Sequence, residues 1–160
     1  MTKRQEDVHV LGVISDTHGL MRPEAIRALD GVEMIIHAGD IGTPEVLQAL
    51  HAVAPVVAVR GNNDKGEWAD ALPDTEVIEV GGVALYVLHD AKALDLDPAA
   101  AGFDAVISGH SHRPAVAKRQ GVLFLNPGSA GPRRFTLPVS VARLTVRGGV
   151  IDAQLIELEV

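Results

Sequence analysis

Side chains that can bind metal ions follow several predicted strands of this sequence. Four of its seven histidines and three oxygen-bearing residues stand at such positions: His18, His89, His110, His112, Asp16, Asp40 and Asn62. Seven donors are too many for one tetrahedral ion. Two ions that share one carboxylate would use all seven, and a separation of roughly 3.5–4 Å would suit in-line displacement at phosphorus. The pattern therefore predicts a two-metal centre for phosphoryl chemistry.

Alternating strands and helices in the first sixty residues must position the first of these groups. Predicted strands cover residues 8–15, 33–38 and 55–59, and each is followed by candidate ligands. Pro23 and Pro44 mark the first turns of two helices, and Thr43 is predicted to cap the second. Strands joined by helices pair in parallel, so their carboxyl ends meet at one edge of a sheet. We expect the site at that edge.

The second half of the chain predicts much antiparallel sheet. Gly81-Gly82 and Gly148-Gly149 are hairpin turns between strand-like runs. The predicted strands there are 75–80, 83–89, 104–108, 115–118, 122–125, 139–146 and 150–159, with a weak helical segment at 98–101. The expected fold class is therefore α/β with mixed sheets.

Composition excludes several other classes of protein. A length of 160 residues suits one domain over residues 1–160, and the absence of cysteine removes disulfides and thiolate metal sites. The net charge of −7 argues against a nucleic-acid partner. No apolar run approaches the ~20 residues of a membrane span, and residues 1–7 carry charges of both signs without a cleavage signal. A cytoplasmic protein without a membrane partner is expected.

Five short motifs occur along the chain in a fixed order. They are Asp16-Thr17-His18, Gly39-Asp40, Gly61-Asn62-Asn63-Asp64, His89-Asp90 and Gly109-His110-Ser111-His112. Together they resemble the calcineurin-like metallophosphoesterase superfamily, and the likeness continues through Asn126-Pro127-Gly128-Ser129 to Arg133. It is greatest to the small single-domain phosphodiesterases of bacteria and archaea, a branch that a retromer subunit also resembles. Each motif is weak alone, but five in this order and spacing form a specific pattern.

The resemblance implies a fold, a cofactor and a reaction. The fold is a four-layer α-β-β-α sandwich of two mixed sheets with metal-binding loops at the carboxyl ends of strands. One divalent ion would take Asp16, His18 and His112, the other Asn62, His89 and His110, and Asp40 would bridge both. The family favours manganese, with nickel, cobalt, iron and zinc as alternatives that suit mixed imidazole and oxygen ligands. A hydroxide bridging the ions would hydrolyse a small phosphate ester, with a diester favoured. Asp40, Asn62, His110 and Arg133 are the implied catalytic residues.

The spacing of the ligands agrees with this assignment. Asp16 and His18 are two residues apart, as are His110 and His112, so in an extended segment each pair points to one side. Glycines before Asp40, Asn62 and His110 would let the backbone turn tightly.

Cationic and acid groups are less clearly defined. Arg133 and Arg60 are the candidate clamps for a phosphate oxygen. Many family members carry a histidine after the motif asparagine, where it protonates the leaving oxygen, but this chain has Asn63, which cannot act as an acid. Asp90 replaces the more usual glycine, and it either orients an imidazole or lies in solvent.

Several alternatives stay open. Asn63 fits a tight turn as well as a functional role, and Asn126 to Ser129 fits a β-turn as well as support for the ligands. His37 is expected to be structural, and Trp68 is expected in the core. For the protein as a whole, a protein-interaction scaffold and a phosphomonoesterase are the competing functions. A homodimer is compatible with the family.

Overall fold

The computed structural model describes residues 7–160, so most of the charged segment 1–7 lies outside the described residues. Ten strands occur there: β1 (Val8–Ile14), β2 (Met34–His37), β3 (Val56–Ala58), β4 (Thr75–Val80), β5 (Val83–Leu88), β6 (Ala105–Ile107), β7 (Ala115–Arg119), β8 (Val122–Asn126), β9 (Ser140–Arg147) and β10 (Val150–Glu157). The helices are α1 (Pro23–Ala28), α2 (Pro44–His51) and α3 (Glu67–Asp70), with a 3-10 turn at Ala91–Ala93.

The strands form two mixed five-stranded sheets. The first has the order β10-β9-β1-β2-β3, in which β1, β2 and β3 are parallel and β9 pairs antiparallel with β1. The second has the order β4-β5-β6-β8-β7, in which β5, β6 and β8 are parallel. This confirms the predicted α/β class with two mixed sheets.

The sheets pack face to face around an aliphatic core. Leu11 and Val13 of β1 lie in this core, and Leu85 and Val87 of β5 approach from the other sheet. All four side chains are fully buried. Burying each stabilises the fold by about 1.5–3 kcal/mol relative to an exposed side chain. The same alternation sends the neighbouring residue Tyr86 to the outer face of the second sheet.

Different structures cover the two outer faces. Helices α1 and α2 cover the first sheet, where Ala25, Val46 and Leu50 pack with Ile35 of β2. The outer face of the second sheet is covered mainly by residues 91–103, whose regular structure is the 3-10 turn. Within residues 7–160, no helix is both long and apolar enough to cross a membrane.

Local details differ from the sequence-based prediction at three places. Residues 98–101 form turns rather than a helix, because Gly102 follows with φ +85° and the chain leaves the helical region. Thr43 occupies the N-cap position of α2, but its side chain makes no capping hydrogen bond. The prediction also missed α3, whose single turn is too short for an apolar repeat to reveal. Trp68 of α3 packs against the apolar cluster between the first sheet and helices α1 and α2, in the core as predicted.

Candidate metal centre

The carboxyl ends of the parallel strands in both sheets meet at one edge, where one buried cluster lies. Asp16 and His18 follow β1, and His112 follows β6. Asp16 Oδ1 lies 3.4 Å from His112 Nε2 and 3.8 Å from His18 Nε2. The rings of His18 and His112 stack with centroids 5.4 Å apart. These three side chains are close enough to share one ion.

A second cluster adjoins the first through Asp40. The Oδ2 atom of Asp40 lies 3.3 Å from His89 Nε2 and 3.7 Å from His18 Nε2. His89 Nε2 is also 3.3 Å from His110 Nδ1, which lies 3.2 Å from Asn62 Oδ1. Asp40 therefore lies between the two clusters, which is the position that a bridging carboxylate would need. Asp16, Asp40 and His89 form a further three-residue group that could hold an ion, so Asp16 also reaches the second cluster.

Three buried polar atoms of the site have no hydrogen-bond partner within the described residues. They are Asp16 Oδ1, His18 Nε2 and His112 Nδ1. Asp16 is fully buried, and leaving a buried carboxylate oxygen without a donor is costly. A cation between this oxygen and His18 Nε2 would satisfy both of these atoms. The residues therefore fit divalent metal ions.

The tautomer of His89 also suits metal binding. Its Nδ1–H donates to the carbonyl oxygen of Ala38 at 2.8 Å, which leaves the Nε2 lone pair toward Asp40 in the neutral ring. A backbone carbonyl that holds the other ring nitrogen is the usual support of a metal-binding histidine. Burial opposes the charged ring, but the contact with Asp40 outweighs it and raises the pKa of His89 when no ion is present.

The ligand loops adopt left-handed backbone conformations. Within residues 7–160, seven residues other than glycine have positive φ, and five of them are predicted ligands: Asp16, His18, Asp40, His110 and His112, at φ from 47° to 70°. The expectation of extended ligand pairs is therefore wrong, because Asp16, His18, His110 and His112 all have left-handed backbone conformations. Such conformations concentrate at functional sites, where the surroundings hold them in place.

Glycines let the ligand loops touch one another. Gly39 has φ +105°, and a Cβ there would stand 2.7 Å from His89 Nδ1. A Cβ on Gly61 would stand 2.8 Å from the Asp40 Cα and closer still to its amide nitrogen. A Cβ on Gly109 would collide with the Ser15 hydroxyl and stand 2.6 Å from Asp16 Oδ2. Gly39, Gly61 and Gly109 therefore allow the ligand loops to pack closely against one another.

Asn63 holds the Asp40 side chain, and Asp64 holds the loops that carry Asp40 and Asn62. The backbone N–H of Asn63 donates to Asp40 Oδ1 at 2.9 Å, and its side-chain amide donates to Oδ2 at 3.0 Å. Burial alone would raise the pKa of Asp40, but His89 and these bonds outweigh it and hold the pKa well below its usual range. Asp64, whose role the sequence analysis missed, accepts from the N–H groups of Gly42 and Gly61 at 3.0 and 2.9 Å. Asp64 thus ties two ligand loops together.

The segment from Asn126 to Ser129 supports the ligands as well as turning the chain. The Asn126 side-chain amide donates to the Gly109 carbonyl at 2.9 Å and to the Ser111 hydroxyl at 3.1 Å. The Ser129 hydroxyl donates to the Asp16 carbonyl at 3.0 Å. Both ligand loops of the first cluster are therefore held by this segment.

His37 is buried and structural, as predicted. Thr17 Oγ1 donates to the Ile41 carbonyl at 2.8 Å, so the hydrogen at His37 Nε2 must donate to Thr17 Oγ1 at 3.0 Å. His37 Nδ1 then accepts from the Gly39 N–H at 3.1 Å. Only the neutral ring with its hydrogen on Nε2 satisfies both contacts. Burial, helped by the positive charge of His89, lowers the pKa of His37 to about 3.

We expect this histidine to make the metal-free protein acid-sensitive. The unfolded chain binds a proton at this ring below its ordinary pKa of 6.5, whereas the folded protein does not until about pH 3. The free energy of unfolding should therefore fall by about 1.4 kcal/mol per pH unit from this group below pH 6.5. Urea unfolding of chelator-treated protein at pH 7, 6 and 5 measures the fall.

His37→Asn is the control, because asparagine can accept from the Gly39 N–H but does not titrate. The pKa of His89 is raised, so its contribution changes above pH 6.5, whereas the pKa of His112 is lowered and its contribution changes below pH 6.5. The difference in slope between wild type and variant isolates His37. Equal slopes would show that His37 titrates normally.

The arginines occupy different positions relative to the site. The Arg60 guanidinium bonds Asp74 at 2.9 Å and lies 3.6 Å from Asp70, so it is engaged away from the ligands and is a poor clamp. Arg133 is exposed, and its guanidinium makes no hydrogen bond or ion pair within residues 7–160. Burial lowers the pKa of His112. The positive charge of Arg134, a residue that the sequence analysis passed over, lowers it further.

Asp90 lies against the second cluster. Its Oδ2 atom is 3.8 Å from His110 Nε2, and its Oδ1 atom accepts from the backbone N–H of Lys92 at 3.0 Å. The carboxylate therefore faces the ring nitrogen of His110 that points away from Asn62. Of the two readings of Asp90, the structure favours orientation of an imidazole, although that imidazole is His110 rather than His89.

Two stacked mixed sheets with carboxylates and imidazoles at their adjoining strand ends define an α/β protein with a candidate metal centre. Residues 10–149 match the calcineurin-like phosphoesterase superfamily domain. A probable metallophosphoesterase of Methanothermobacter thermautotrophicus is 36% identical over 159 residues, which cover 92% of this chain and 91% of that protein. The chain belongs to the calcineurin-like phosphoesterase superfamily.

Solved structures share the fold at lower sequence identity. An archaeal phosphodiesterase superposes with a TM-score of 0.76 at 24% identity, covering 92% of this chain and 99% of that one. Vacuolar protein sorting 29 of Cryptosporidium parvum superposes with a TM-score of 0.75 at 20% identity, covering 94% and 98%. The two-sheet fold is therefore common to these proteins and this chain.

Proposed function

We propose that the protein is a phosphodiesterase that uses two divalent metal ions. The observation that carries the proposal is the convergence of seven donors at one edge, with buried atoms that lack partners in the described residues. The first ion would be held by Asp16, His18 and His112, the second by Asn62, His89 and His110, and Asp40 would contact both. The archaeal phosphodiesterase of the same fold supports the diester assignment.

Two bound ions would supply positive charge to the phosphoryl oxygens and lower the pKa of the attacking water. The chain's own residues provide the geometry. Asn63 aims both oxygens of Asp40, and Ala38 fixes the ring of His89. Manganese is the proposed metal, and nickel, cobalt, iron and zinc also suit imidazole with oxygen ligands. A small phosphate ester is the proposed substrate, because the net charge of −7 disfavours a nucleic acid.

The test compares bis(p-nitrophenyl) phosphate with the p-nitrophenyl monoester. Chelator-stripped protein is reconstituted separately with Mn, Ni, Co, Zn and Mg, and His110→Ala is measured beside His51→Ala, an exposed histidine of α2. We expect metal-dependent diester hydrolysis that His110→Ala loses and His51→Ala keeps. Faster monoester hydrolysis would favour a phosphomonoesterase. Two bound ions without turnover of either ester would favour the scaffold, whose fold vacuolar protein sorting 29 shares.

We expect the enzyme to prefer diesters with acidic leaving groups. Asn63 is committed to Asp40 by its amide and cannot protonate a leaving oxygen. Aryl diesters, which need no acid, should be hydrolysed at least about 100-fold faster than matched alkyl diesters. Rates for p-nitrophenyl methyl phosphate and dimethyl phosphate measure this preference. Equal rates would show that another residue acts as the acid.

Arg133 is the predicted clamp, and the structure adds Arg134 as a second candidate. Removing the arginine that contacts a phosphate oxygen should lower kcat/KM by about tenfold or more with full metal content. Arg133→Ala and Arg134→Ala form a matched pair for steady-state kinetics and metal analysis. Unchanged kinetics in either variant would remove that arginine from the reaction.

A further inference from the structure

A cavity of about 460 Å³ opens beside the second cluster. Asn62, His89 and His110 line it, so it is continuous with the proposed metal centre. Its other walls come from the start of β4, the outer face of β5 and the segment after β5. The volume lies within the roughly 300–1,000 Å³ range of small-ligand sites. A group attached to a phosphate at the metal centre could therefore extend into it.

The charged side chains that line this cavity are acidic. Asp74, Asp90 and Asp95 line it, and none of its lining residues within the described chain is a lysine or arginine. Arg60 pairs with Asp74 and offsets that charge. Asp90 and Asp95 leave the cavity negative, with Asp90 also 3.8 Å from His110 Nε2. A second anionic group on the substrate would be repelled here, and a cation attracted.

Tyr86 lines the same cavity. The residue is only 9% exposed, and its ring packs on Phe103 with centroids 5.0 Å apart. Within residues 7–160 the Tyr86 hydroxyl makes no hydrogen bond, and it stays accessible from the cavity that the residue lines. A ligand that donates a hydrogen bond would supply the missing partner. An apolar ligand would leave the hydroxyl unsatisfied.

We infer that this cavity receives an ester group that carries an ammonium, so that the substrate is a small phosphodiester of an amino alcohol. The inference rests on the proposed function and names its substrate class. The phosphate would lie at the metal centre, and the ammonium would donate to the Tyr86 hydroxyl between Asp90 and Asp95. A primary ammonium offers three donors, which suits one hydroxyl and two carboxylates.

Binding is tested without turnover through the chain's single tyrosine. Tyr86 is the only tyrosine of the sequence, so 3-fluorotyrosine gives one ¹⁹F resonance that reports this cavity. The zinc-loaded protein is titrated with phosphoethanolamine and with propyl phosphate, which replaces the ammonium by a methyl group. We expect phosphoethanolamine to shift the resonance with a Kd at least fivefold lower. Equal affinities, or no shift with phosphoethanolamine, would overturn the inference.

Variants separate the cavity charge from charge elsewhere. Asp95→Asn should reduce the preference for phosphoethanolamine at least twofold, whereas Asp97→Asn, the same change at a residue outside the cavity, should keep it. Tyr86→Phe removes the labelled tyrosine and gives no ¹⁹F resonance, so its ligand binding is followed by calorimetry. This variant should also reduce the preference for phosphoethanolamine. An unchanged preference in both Asp95→Asn and Tyr86→Phe would overturn the inference.

Kinetics distinguish failure of the inference from failure of the proposed function. The p-nitrophenyl diesters of ethanolamine and of propanol share one leaving group. Faster hydrolysis of the ethanolamine ester supports both proposals, and equal rates overturn the inference while the phosphodiesterase stands. A selective ¹⁹F shift without hydrolysis of either ester would support the cavity's ligand class and overturn the phosphodiesterase.

Discussion

Asp40→Asn is expected to lower kcat/KM for metal-dependent diester hydrolysis by about 1,000-fold or more. Asp40 Oδ2 is 3.3 Å from His89 and 3.7 Å from His18, so a single oxygen atom of this carboxylate joins the two clusters. Asparagine keeps the shape but loses the negative charge that two cations require. Loss of the metal clamp removes several kcal/mol of transition-state stabilisation, and each 1.4 kcal/mol is about tenfold in rate.

The variant is measured with bis(p-nitrophenyl) phosphate, together with calorimetric titration of metal into stripped protein. Asp152→Asn, an exposed carboxylate of β10, controls for the charge change alone. We expect the control to bind two ions and to turn over normally. If Asp40→Asn binds two ions with unchanged affinity, Asp40 does not bridge them.

The second large effect is expected from Gly61→Ala. The added methyl group would stand 2.8 Å from the Asp40 Cα and closer to the Asp40 amide nitrogen, which is backbone and cannot swing aside. Overpacking of this kind should lower the free energy of unfolding by about 3 kcal/mol. Because the displaced residue is Asp40, metal affinity should fall as well. Urea unfolding with and without metal measures both effects.

Gly102→Ala provides the matched control for this substitution. It lies at φ +85° with no atom within 4 Å of its Cβ position, so it carries a backbone penalty of about 1 kcal/mol without a collision. The excess loss in Gly61→Ala is the cost of separating the two ligand loops. Equal losses in the two variants would mean that the loops can move apart freely.

The sequence allowed the strands and their order along the chain to be predicted closely. Each predicted strand occurs within about two residues of its expected bounds, because apolar runs end at glycine pairs or at ligand motifs. The pairing of β9 with β1, from opposite ends of the chain, had no local signal. The prediction failed at α3 and at residues 98–101 because these segments are short. A single turn carries too few residues to show an apolar repeat.

All seven predicted ligands lie together at the site. Their grouping could be predicted because each of them follows the end of a strand, whereas the predicted direction of their side chains was wrong. The left-handed turns at Asp16 and His112 could not be predicted, because they depend on loops far apart in sequence. Asp64 and Tyr86 were missed for a related reason. Asp64 matters because it contacts Gly42, and Tyr86 matters because it lines the cavity. In the sequence, Asp64 looks like an ordinary turn residue and Tyr86 like an ordinary strand residue.

The left-handed ligand residues imply a conflict between heat resistance and activity. Glycine adopts a φ of 47° more readily than histidine, so glycine at His18 would relieve up to about 1 kcal/mol of backbone energy. A selection for thermal resistance alone, with no demand for turnover, should therefore collect glycines at the positions that give the protein its chemistry. Natural selection for activity would remove the same glycines.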